Sequence, residues 1–376
     1  MKIGIMGVGS MGKVHAYCIQ NLPYFFSDDL GAELVTVCAK NSENAKSFAA
    51  RYGLPAWSEA EDDIINNPCV DVVDICTPNI YHYETVKKAI LAGKHVYCEK
   101  PLAVNYEQAR ELAALAKEKG VLCGMVFNNR FMSPVMRAKE LIGEKSEQGR
   151  LGRILSFSIK YLHSSALDTE KKAGWKQDKD ICGGGVLFDL GSHAVDLIYH
   201  LCGEFESVFG KSQIAYPVRT GVAGQRWNTN ADEAFYMIAT LKNGAVGTFE
   251  ISKITTGAND DLVFEIHGEK GSIKFDLMNP NFLEFYDAQS QSGDLGGECG
   301  YKKIECVNRY PSPGGIFPGI KAPIGWLRGH LGCYHSFLHS VKEGVSPQPD
   351  FDSGAYVQLV LERAYESAKT GREVKI

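Results

Sequence analysis

Residues 2–12, KIGIMGVGSMG, place an apolar run directly before a glycine-rich loop. The loop, Gly7-Val8-Gly9-Ser10-Met11-Gly12, precedes the helix-compatible segment Lys13–Leu22. In this pattern one glycine makes a tight turn, one lets the backbone approach a pyrophosphate and one lets helix and strand pack closely. The helix N-terminus then offers free amides to the phosphates. The stretch predicts dinucleotide binding, with a plain tight turn as the alternative.

Short apolar runs alternate with helical patterns from this loop to about residue 127. The runs are Lys2–Met6, Leu34–Cys38, Val70–Cys76, Lys94–Cys98 and Val121–Val126. A repeated β-α pattern requires parallel strands with right-handed crossovers. Residues 1–127 are therefore predicted to form an α/β Rossmann domain with a doubly wound parallel sheet.

In residues 128–376 the alternation of short apolar runs and helical patterns gives way to longer strand-like runs. This pattern predicts an α+β domain with a large, open, mainly antiparallel sheet. Its strand-like runs are Ile154–Leu162, Glu206–Tyr216, Glu233–Leu241, Ala245–Ser252, Leu262–His267 and Ser272–Phe275. Helices are expected at about Gly191–Leu201, Leu331–Glu343 and Ser353–Thr370, and a loop rich in Gly, Ser and Pro from about Gln289 to Lys321.

Composition narrows the class of protein. The 376 residues are enough for two domains, and a formal charge of -5 gives no basic surplus for a nucleic acid partner. The first apolar run is too short for a signal peptide, and no later stretch in the sequence is long enough to predict a membrane span. Eleven scattered cysteines without a Cys-x-x-Cys pair indicate reduced thiols. A cytoplasmic protein is expected.

The choice between NAD and NADP depends on the end of the second strand. An acidic residue that accepts hydrogen bonds from the adenosine ribose is expected there, yet the sequence is Ala39-Lys40-Asn41-Ser42. Lys40 can pair with a 2'-phosphate, with Asn41 and Ser42 donating hydrogen bonds, which leans toward NADP. The alternative is that Lys40 is an ordinary solvated lysine.

Three further segments carry a family resemblance. They are Thr77-Pro78-Asn79 with His82 beyond it, Glu99-Lys100-Pro101, and the run GGGVLFDLGSH at 183–193. With the glycine loop they closely resemble the Gfo/Idh/MocA family of glucose-fructose oxidoreductases and inositol dehydrogenases. The resemblance covers nearly the whole chain, including 129–131 and 367–372, and its second and third motifs are more specific than the glycine loop.

The resemblance implies an active cleft between the nicotinamide and the open sheet, with Lys100, Asp189 and His193 as catalytic residues. Residue chemistry supports these roles. A histidine titrating near neutrality suits proton removal from a hydroxyl, and a nearby ammonium stabilises the developing alkoxide. Asp189 could orient the imidazole or bind a substrate hydroxyl. The structural alternatives are helix capping or a buried hydrogen bond for Asp189 and His193, and a solvated surface position for Lys100.

Other residues are assigned around these three. Glu99 and Lys100 are expected beside the cofactor together with the loop at 77–79, and His82 either joins them or caps a helix. Asn128 and Trp175 are candidate substrate-binding residues, although Trp175 fits a core or interface position equally well. The predicted cofactor-binding set is Gly7, Gly9, Ser10, Met11, Gly12, Lys40, Ser42, Thr77, Pro78, Asn79, His82, Glu99 and Lys100.

No metal site is expected. His330, His335 and His339 lie close together in sequence, but no carboxylate or cysteine in that run completes a ligand set. The leading functional prediction is an NAD(P)-dependent dehydrogenase or reductase of a sugar, sugar derivative or cyclitol. The alternatives are a glycosidase that oxidises its substrate transiently, against which the retained Lys100 argues, and a non-catalytic dinucleotide-binding regulator. By analogy with the family a homodimer or homotetramer is expected.

Overall fold

The computed structural model describes residues 1–143, 148–221 and 223–376, and the chain divides into two compact units. The first unit consists of Met1–Phe131, Tyr310–Ile320 and Trp326–Gln358. The second consists of Met132–Arg309, Lys321–Gly325 and Leu359–Ile376. Each unit is built around one sheet.

The first unit contains a six-stranded parallel sheet in the order β3-β2-β1-β4-β5-β6. Its strands are β1 Lys2–Met6, β2 Glu33–Cys38, β3 Ala56–Ser58, β4 Val72–Ile75, β5 His95–Cys98 and β6 Cys123–Met125. Its helices are α1 Ser10–Phe25, α2 Ser42–Tyr52, α3 Asp62–Ile65, α4 His82–Leu91, α5 Tyr106–Lys119 and α9 Trp326–Glu343. This strand order is that of the Rossmann fold, so the predicted doubly wound sheet is confirmed.

The core of this sheet consists of strands that are apolar on both faces. Ile3, Ile5 and Val37 are fully buried, as strands covered by helices on both sides must be. Helix α9 brings Leu331 and Phe337 into the same core from about 200 residues beyond β6, the last strand of the sheet. The short strand β3 was not predicted, because three residues that are mostly exposed carry no hydrophobic signal.

The second unit contains a nine-stranded sheet in the order β16-β15-β14-β13-β7-β12-β11-β8-β17. Its strands are β7 Ile154–Leu162, β8 Phe205–Gln213, β11 Ala234–Leu241, β12 Val246–Ser252, β13 Asp261–Gly268, β14 Gly271–Asp276, β15 Phe282–Asp287, β16 Tyr301–Glu305 and β17 Val374–Lys375. A separate pair is formed by β9 Val218–Thr220 and β10 Arg226–Asn228. The large, mainly antiparallel sheet is confirmed, with one parallel pair, β12 and β7, that makes it mixed.

One part of the predicted loop at 289–321 is a strand. β16 pairs antiparallel with β15 at the edge of the sheet, and four of its five residues are exposed. The prediction of continuous loop was wrong there because an exposed edge strand such as YKKIE lacks the apolar alternation that identifies a half-buried strand.

The remaining helices lie wholly or partly in the second unit. They are α6 Ser133–Ile142, α7 Lys179–Cys182, a π-helical turn Leu187–Gly191, α8 Ser192–Cys202 and α10 Phe351–Thr370, of which the part from Leu359 belongs to this unit. One helical run, Lys179–Cys202, is long and apolar enough to cross a membrane by length and composition. However, 83% of its most apolar window is buried inside the protein, as in the core helix of a folded domain.

Candidate active site

The glycine loop after β1 has two positions that exclude a side chain and one that is open. Gly7 has a φ of +108°, and a β-carbon on Gly12 would lie 2.1 Å from the Gly7 carbonyl oxygen. Gly9 differs, because a β-carbon there would meet nothing within 4 Å. The space above Gly9 is thus available to a ligand, as the close approach of a pyrophosphate requires.

The N-terminus of α1 is arranged for an anion. The helix begins at Ser10 with Met11 next, directly after Gly9, and among the described residues no side chain caps it. Its first turn carries no acidic residue. The first-turn amides and the positive end of the helix dipole therefore face a position where a phosphate can bind.

A second contact point for a ligand follows β4, the neighbour of β1. The Oγ1 atom of Thr77 is buried and has no hydrogen-bond partner among the described residues. Buried hydroxyls normally have a partner, so an orphaned one indicates a group that is supplied by a ligand or by water. Pro78 and the buried Asn79 complete this loop beside the glycine turn. The residues present therefore fit a dinucleotide.

His82 connects this loop to the next one. Its ring is fully buried, with Nδ1 2.8 Å from the Pro101 carbonyl oxygen and Nε2 2.8 Å from that of Thr77. Burial lowers the pKa of His82 in spite of these two carbonyls. A neutral imidazole has one N–H, so the ring donates to one of these carbonyl oxygens and contacts the other, and it lies between the turn after β4 and the turn after β5.

Glu99 and Lys100 follow β5 at the same edge of the sheet. Glu99 is buried, and its Oε2 atom accepts a hydrogen bond of 3.1 Å from the backbone N–H of Lys100. Its Oε1 atom lies 3.3 Å from Nε2 of His15. Burial opposes ionisation, but His15 and Lys100 together lower the pKa of Glu99 to about 2. A buried, ionised carboxylate is therefore bonded to the backbone of the predicted catalytic lysine.

His15 belongs to a buried network that the sequence analysis missed. Its Nδ1 atom lies 2.8 Å from Oδ1 of Asp74, and the hydroxyl of Tyr334 donates to Oδ2 of Asp74 at 2.9 Å. Burial lowers the pKa of His15, but Asp74 outweighs this and raises it well above 6.5. A signal was present in the sequence, since Asp74 is an acidic residue inside an otherwise apolar strand.

The residues after β2 lie where the adenosine ribose of a dinucleotide is expected. The Nζ atom of Lys40 stands 3.6 Å from the centroid of the Tyr81 ring. The side chain of Asn41 accepts from the backbone N–H of Asn44 and so caps α2, which begins at Ser42. Lys40 thus has an aromatic contact that the sequence did not reveal, and Asn41 has a structural role.

In the second unit, Asp189 lies on the π-helical turn and His193 is the second residue of α8. Asp189 forms two ion pairs, at 2.9 Å with Nζ of Lys176 and at 2.6 Å with Nζ of Lys253. The Lys253 side chain is only 13% exposed. No motif indicated either lysine, because both are brought to Asp189 by folding from outside the glycine run.

The glycine run at 183–185, which precedes the turn that carries Asp189, is held by buried contacts. A β-carbon on Gly185 would lie 2.3 Å from the backbone nitrogen of Asp232, so only glycine fits. The backbone N–H of Gly185 donates to Oδ1 of Asp232 at 3.1 Å and lies 2.8 Å from the hydroxyl of Tyr365, which also bonds Asp232. These buried contacts fix the start of the helical run that carries Asp189 and His193.

An aromatic ring, that of Tyr161, and a carboxylate, that of Asp260, lie near His193. The Tyr161 ring lies edge-on to it, with centroids 6.1 Å apart. His163 pairs with Asp260 at 2.8 Å on the neighbouring part of the sheet. Trp175 is 36% exposed and follows Gly174 in a short 3-10 turn.

Asn128 lies in the first unit and is 2% exposed, with its amide donating to Oδ1 of Asn129 at 3.3 Å. The structure therefore buries Asn128 and leaves Trp175 accessible on the surface of its unit.

Two family models match the chain. The oxidoreductase family with an NAD-binding Rossmann fold, Gfo/Idh/MocA, matches residues 1–127, and the C-terminal domain of the same family matches residues 135–274. The chain belongs to the Gfo/Idh/MocA family of oxidoreductases, and the resemblance stated from its motifs is confirmed.

Named relatives and solved structures agree with this assignment. A levoglucosan dehydrogenase from Pseudarthrobacter phenanthrenivorans is 31% identical, over 98% of this chain and 96% of that protein. A scyllo-inositol 2-dehydrogenase (NADP+) from Bacillus subtilis is 26% identical, over 100% and 97%. The solved levoglucosan dehydrogenase in complex with NADH superimposes with a TM-score of 0.94 at 31% identity, covering 100% of this chain and 99% of the other.

Proposed function

We propose that this protein is a nicotinamide-dependent dehydrogenase or reductase that acts on a secondary alcohol, or the matching ketone, of a sugar, sugar derivative or cyclitol. Residues 1–127 bind the dinucleotide, and residues 128–376 supply substrate binding and oligomerisation. When bound, the nicotinamide accepts or returns the hydride. The relatives support this proposal, because the names of two of them specify an anhydrosugar and an inositol as substrates.

One observation carries the proposal. Strands β1, β4 and β5 are consecutive neighbours in a parallel sheet, and within two residues of their ends they are followed by Gly7, Thr77 and Glu99 respectively, with Lys100 after Glu99. The carboxyl ends of parallel strands lie at one edge of a sheet, which is where this fold binds its ligand. Lys100 is therefore carried to the edge where the glycine loop would hold the pyrophosphate.

The three catalytic candidates have separate tasks in this proposal. In oxidation, the carbinol carbon loses its hydrogen as hydride while its hydroxyl proton passes to the imidazole of His193, leaving a carbonyl. The ammonium of Lys100 stabilises negative charge on that oxygen. Asp189, held by Lys253 and Lys176, accepts a hydrogen bond from a neighbouring hydroxyl and fixes the sugar ring.

The decisive experiment is a spectrophotometric screen. The purified protein is mixed with NAD or NADP and a panel of sugars, anhydrosugars and inositols, and absorbance of the reduced nicotinamide is followed. We expect net reduction with at least one polyol. Substrate consumption without net change in absorbance would instead support a self-recycling glycosidase, and no turnover with tight dinucleotide binding would support a regulator.

The choice of cofactor follows from Lys40. We propose a preference for NADP, supported by the absence of an acidic residue in Ala39-Lys40-Asn41-Ser42 and by the ammonium of Lys40, which the Tyr81 ring holds in place. Asn41 is engaged in capping α2, so Lys40 and Ser42 carry this preference.

A homo-oligomer completes the proposal, together with a cytoplasmic location. One face of the nine-stranded sheet exposes large apolar side chains on three adjacent strands, at Phe209, Tyr236, Ile238 and Val246. An apolar surface of this kind is typical of a protein interface, and a second copy of the chain is the proposed occupant. The reducing compartment is supported by the free thiols of all eleven cysteines.

A further inference from the structure

Two histidines and an aspartate converge on the surface of the first unit. His335 and His339 lie one helical turn apart on α9, and Asp28 lies in the segment that follows α1. Nε2 of His335 is 2.8 Å and 3.0 Å from the two Asp28 carboxylate oxygens. Nδ1 of His339 is 3.2 Å from Oδ2 of Asp28. The carboxylate that the histidine run lacked in sequence is thus supplied from about 300 residues away.

The three donor atoms have the spacing of a ligand set. His335 Nε2, His339 Nδ1 and an Asp28 oxygen all lie within 4.8 Å of one another. Zinc binds imidazole nitrogen and carboxylate oxygen at about 2.0–2.2 Å, and a tetrahedron of that size separates its corners by roughly 3.4 Å. The histidine-to-carboxylate distances of 2.8 Å and 3.2 Å are a few tenths of an ångström shorter than that separation, so a small movement of Asp28 away from the histidines would make room for the ion.

In this cluster His335 and the segment around Asp28 are held by neighbouring residues, whereas His339 is accessible to solvent. The Phe26 ring stacks on His335 with centroids 3.7 Å apart and planes 7° from parallel, which fixes the imidazole. The Nζ atom of Lys342 donates to the carbonyl oxygen of Asp29 at 2.6 Å and holds the segment against α9. The side chain of His339 is 46% exposed, so an ion has access from solvent.

A second cluster of similar composition is a poorer candidate. His15, Asp74 and Cys76 also bring ligand atoms together, but His15 and Asp74 are buried. Asp74 already accepts from Tyr334, and Nε2 of His15 lies beside Glu99. Burial raises the pKa of the Cys76 thiol, so the thiolate that a metal needs is disfavoured. The Nδ1 atom of His15, the Asp74 carboxylate and the Cys76 thiol already contact one another or Tyr334.

We propose that Asp28, His335 and His339 form a binding site for a divalent transition-metal ion, with zinc as the best-fitting one and water in the fourth position. Two neutral imidazoles and one carboxylate are borderline ligands that favour zinc, copper and nickel over magnesium or calcium. One charge opposes binding of a cation: burial lowers the pKa of His335, the nearby Arg328 guanidinium adds to this lowering, and Asp28 raises it. The Asp28 carboxylate compensates that charge at the site itself.

Binding of the ion is expected to stabilise the fold of the first unit. The ion would join the segment after α1, the helix of the glycine loop, to α9, which packs against α1 in the same core. Binding to the folded state alone shifts the unfolding equilibrium toward that state. Zinc is therefore expected to raise the melting temperature of the protein, independently of any catalytic activity.

The test uses the full chain with the exposed thiols removed. Cys69 and Cys299 are exposed and could bind zinc adventitiously, so both are replaced by serine in the parent protein. After chelation, zinc binding is measured by isothermal titration calorimetry, and the melting temperature is measured with and without zinc. We expect one zinc per chain in the parent, at least about tenfold weaker binding in Asp28→Asn and a correspondingly smaller zinc-dependent melting shift in that variant.

The matched control is Asp29→Asn. It makes the same change one residue away, in a carboxylate that accepts from the backbone N–H of Gly31, and it should bind zinc like the parent. If Asp28→Asn folds poorly, His339→Gln at its half-exposed position serves the same purpose. Absence of zinc uptake by the parent, or equal affinity in the parent and in a folded Asp28 or His339 variant, overturns the proposal.

Discussion

The Nζ atom of Lys253 lies 2.6 Å from Oδ2 of Asp189, and Nζ of Lys176 lies 2.9 Å from Oδ1 of the same carboxylate. Both oxygens of the predicted substrate-binding aspartate are therefore held by ammonium groups. The two lysines are not equivalent, because the Lys253 side chain is 13% exposed and that of Lys176 is 47% exposed. An ion pair that is shielded from water contributes more to orientation than one that is screened.

Replacement of Lys253 by methionine is expected to reduce kcat/KM by about tenfold or more, because it leaves a partly buried carboxylate without its shielded partner. Lys176→Met is the matched control and should cost less than about fivefold. Steady-state kinetics on the best substrate from the screen measure both. Equal losses in the two variants would contradict a special role for Lys253.

Replacement of Lys100 by methionine is expected to lower kcat by about 10²-fold or more, because the cation that stabilises charge on the reacting oxygen is removed. Dinucleotide affinity, measured by fluorescence titration, should change little, since the glycine loop and the α1 N-terminus remain. Lys119→Met on α5 is a control for the loss of one positive charge. Turnover like that of the wild type in Lys100→Met would overturn the catalytic assignment.

Features that depend on a few neighbouring residues could be predicted from the sequence. The five predicted strands of the first domain coincide with β1, β2, β4, β5 and β6 to within about two residues at each end, because buried parallel strands are continuous apolar runs. The glycine loop could be predicted as well, because only glycine fits at position 12, where a β-carbon would collide with Gly7. Patterns confined to a few adjacent residues could therefore be predicted.

Contacts between residues that lie far apart in the chain could not be predicted from the sequence. Lys253 reaches Asp189 from the end of β12, and Tyr334 reaches Asp74 from α9, 260 residues away. The sequence around Lys253 and around Tyr334 is that of an ordinary strand end and an ordinary helix, so neither residue could be singled out. Their partners become visible only when strand order and helix packing are known.

The pair His15 and Asp74 leads to a prediction about stability and pH. His15 has a folded-state pKa well above 6.5, so its contribution to stability is fully present below about pH 6.5 and is lost as the pH rises through the folded value. Glu99, with a pKa of about 2, has the opposite sense and loses its contribution only as the pH falls toward that value. The two effects overlap from about pH 4.5 to 6.5, using the ordinary pKa values of Glu and His.

His15→Gln is accordingly expected to destabilise the protein by about 3 kcal/mol in that range, because a buried partner of two carboxylates is lost. Urea unfolding of the wild type and the variant at several pH values measures the difference. The difference should shrink as the pH becomes alkaline. A difference that is constant with pH would show that His15 contributes through packing and neutral hydrogen bonds alone.

Lys40→Ala is expected to raise KM for NADP by about tenfold while leaving KM for NAD nearly unchanged, because only NADP offers a 2'-phosphate to the ammonium. Lys46→Ala, an exposed position on α2, controls for the change in net charge. Kinetics with each cofactor at saturating polyol give both constants. Parallel changes for the two cofactors would contradict the proposed preference for NADP.

Ile238 and Phe209 are directly paired across β11 and β8, and both are about half exposed on the same face of the large sheet. Ile238→Lys places a charge in the centre of this apolar surface, which burial in an interface would not tolerate without a partner. We expect the wild type to elute as a dimer or tetramer in size-exclusion chromatography with light scattering, and the variant to shift toward the monomer. Leu91→Lys, at an exposed apolar position on α4 of the first unit, controls for the added charge. An unchanged mass for Ile238→Lys, with wild-type stability, would show that this face is not the interface.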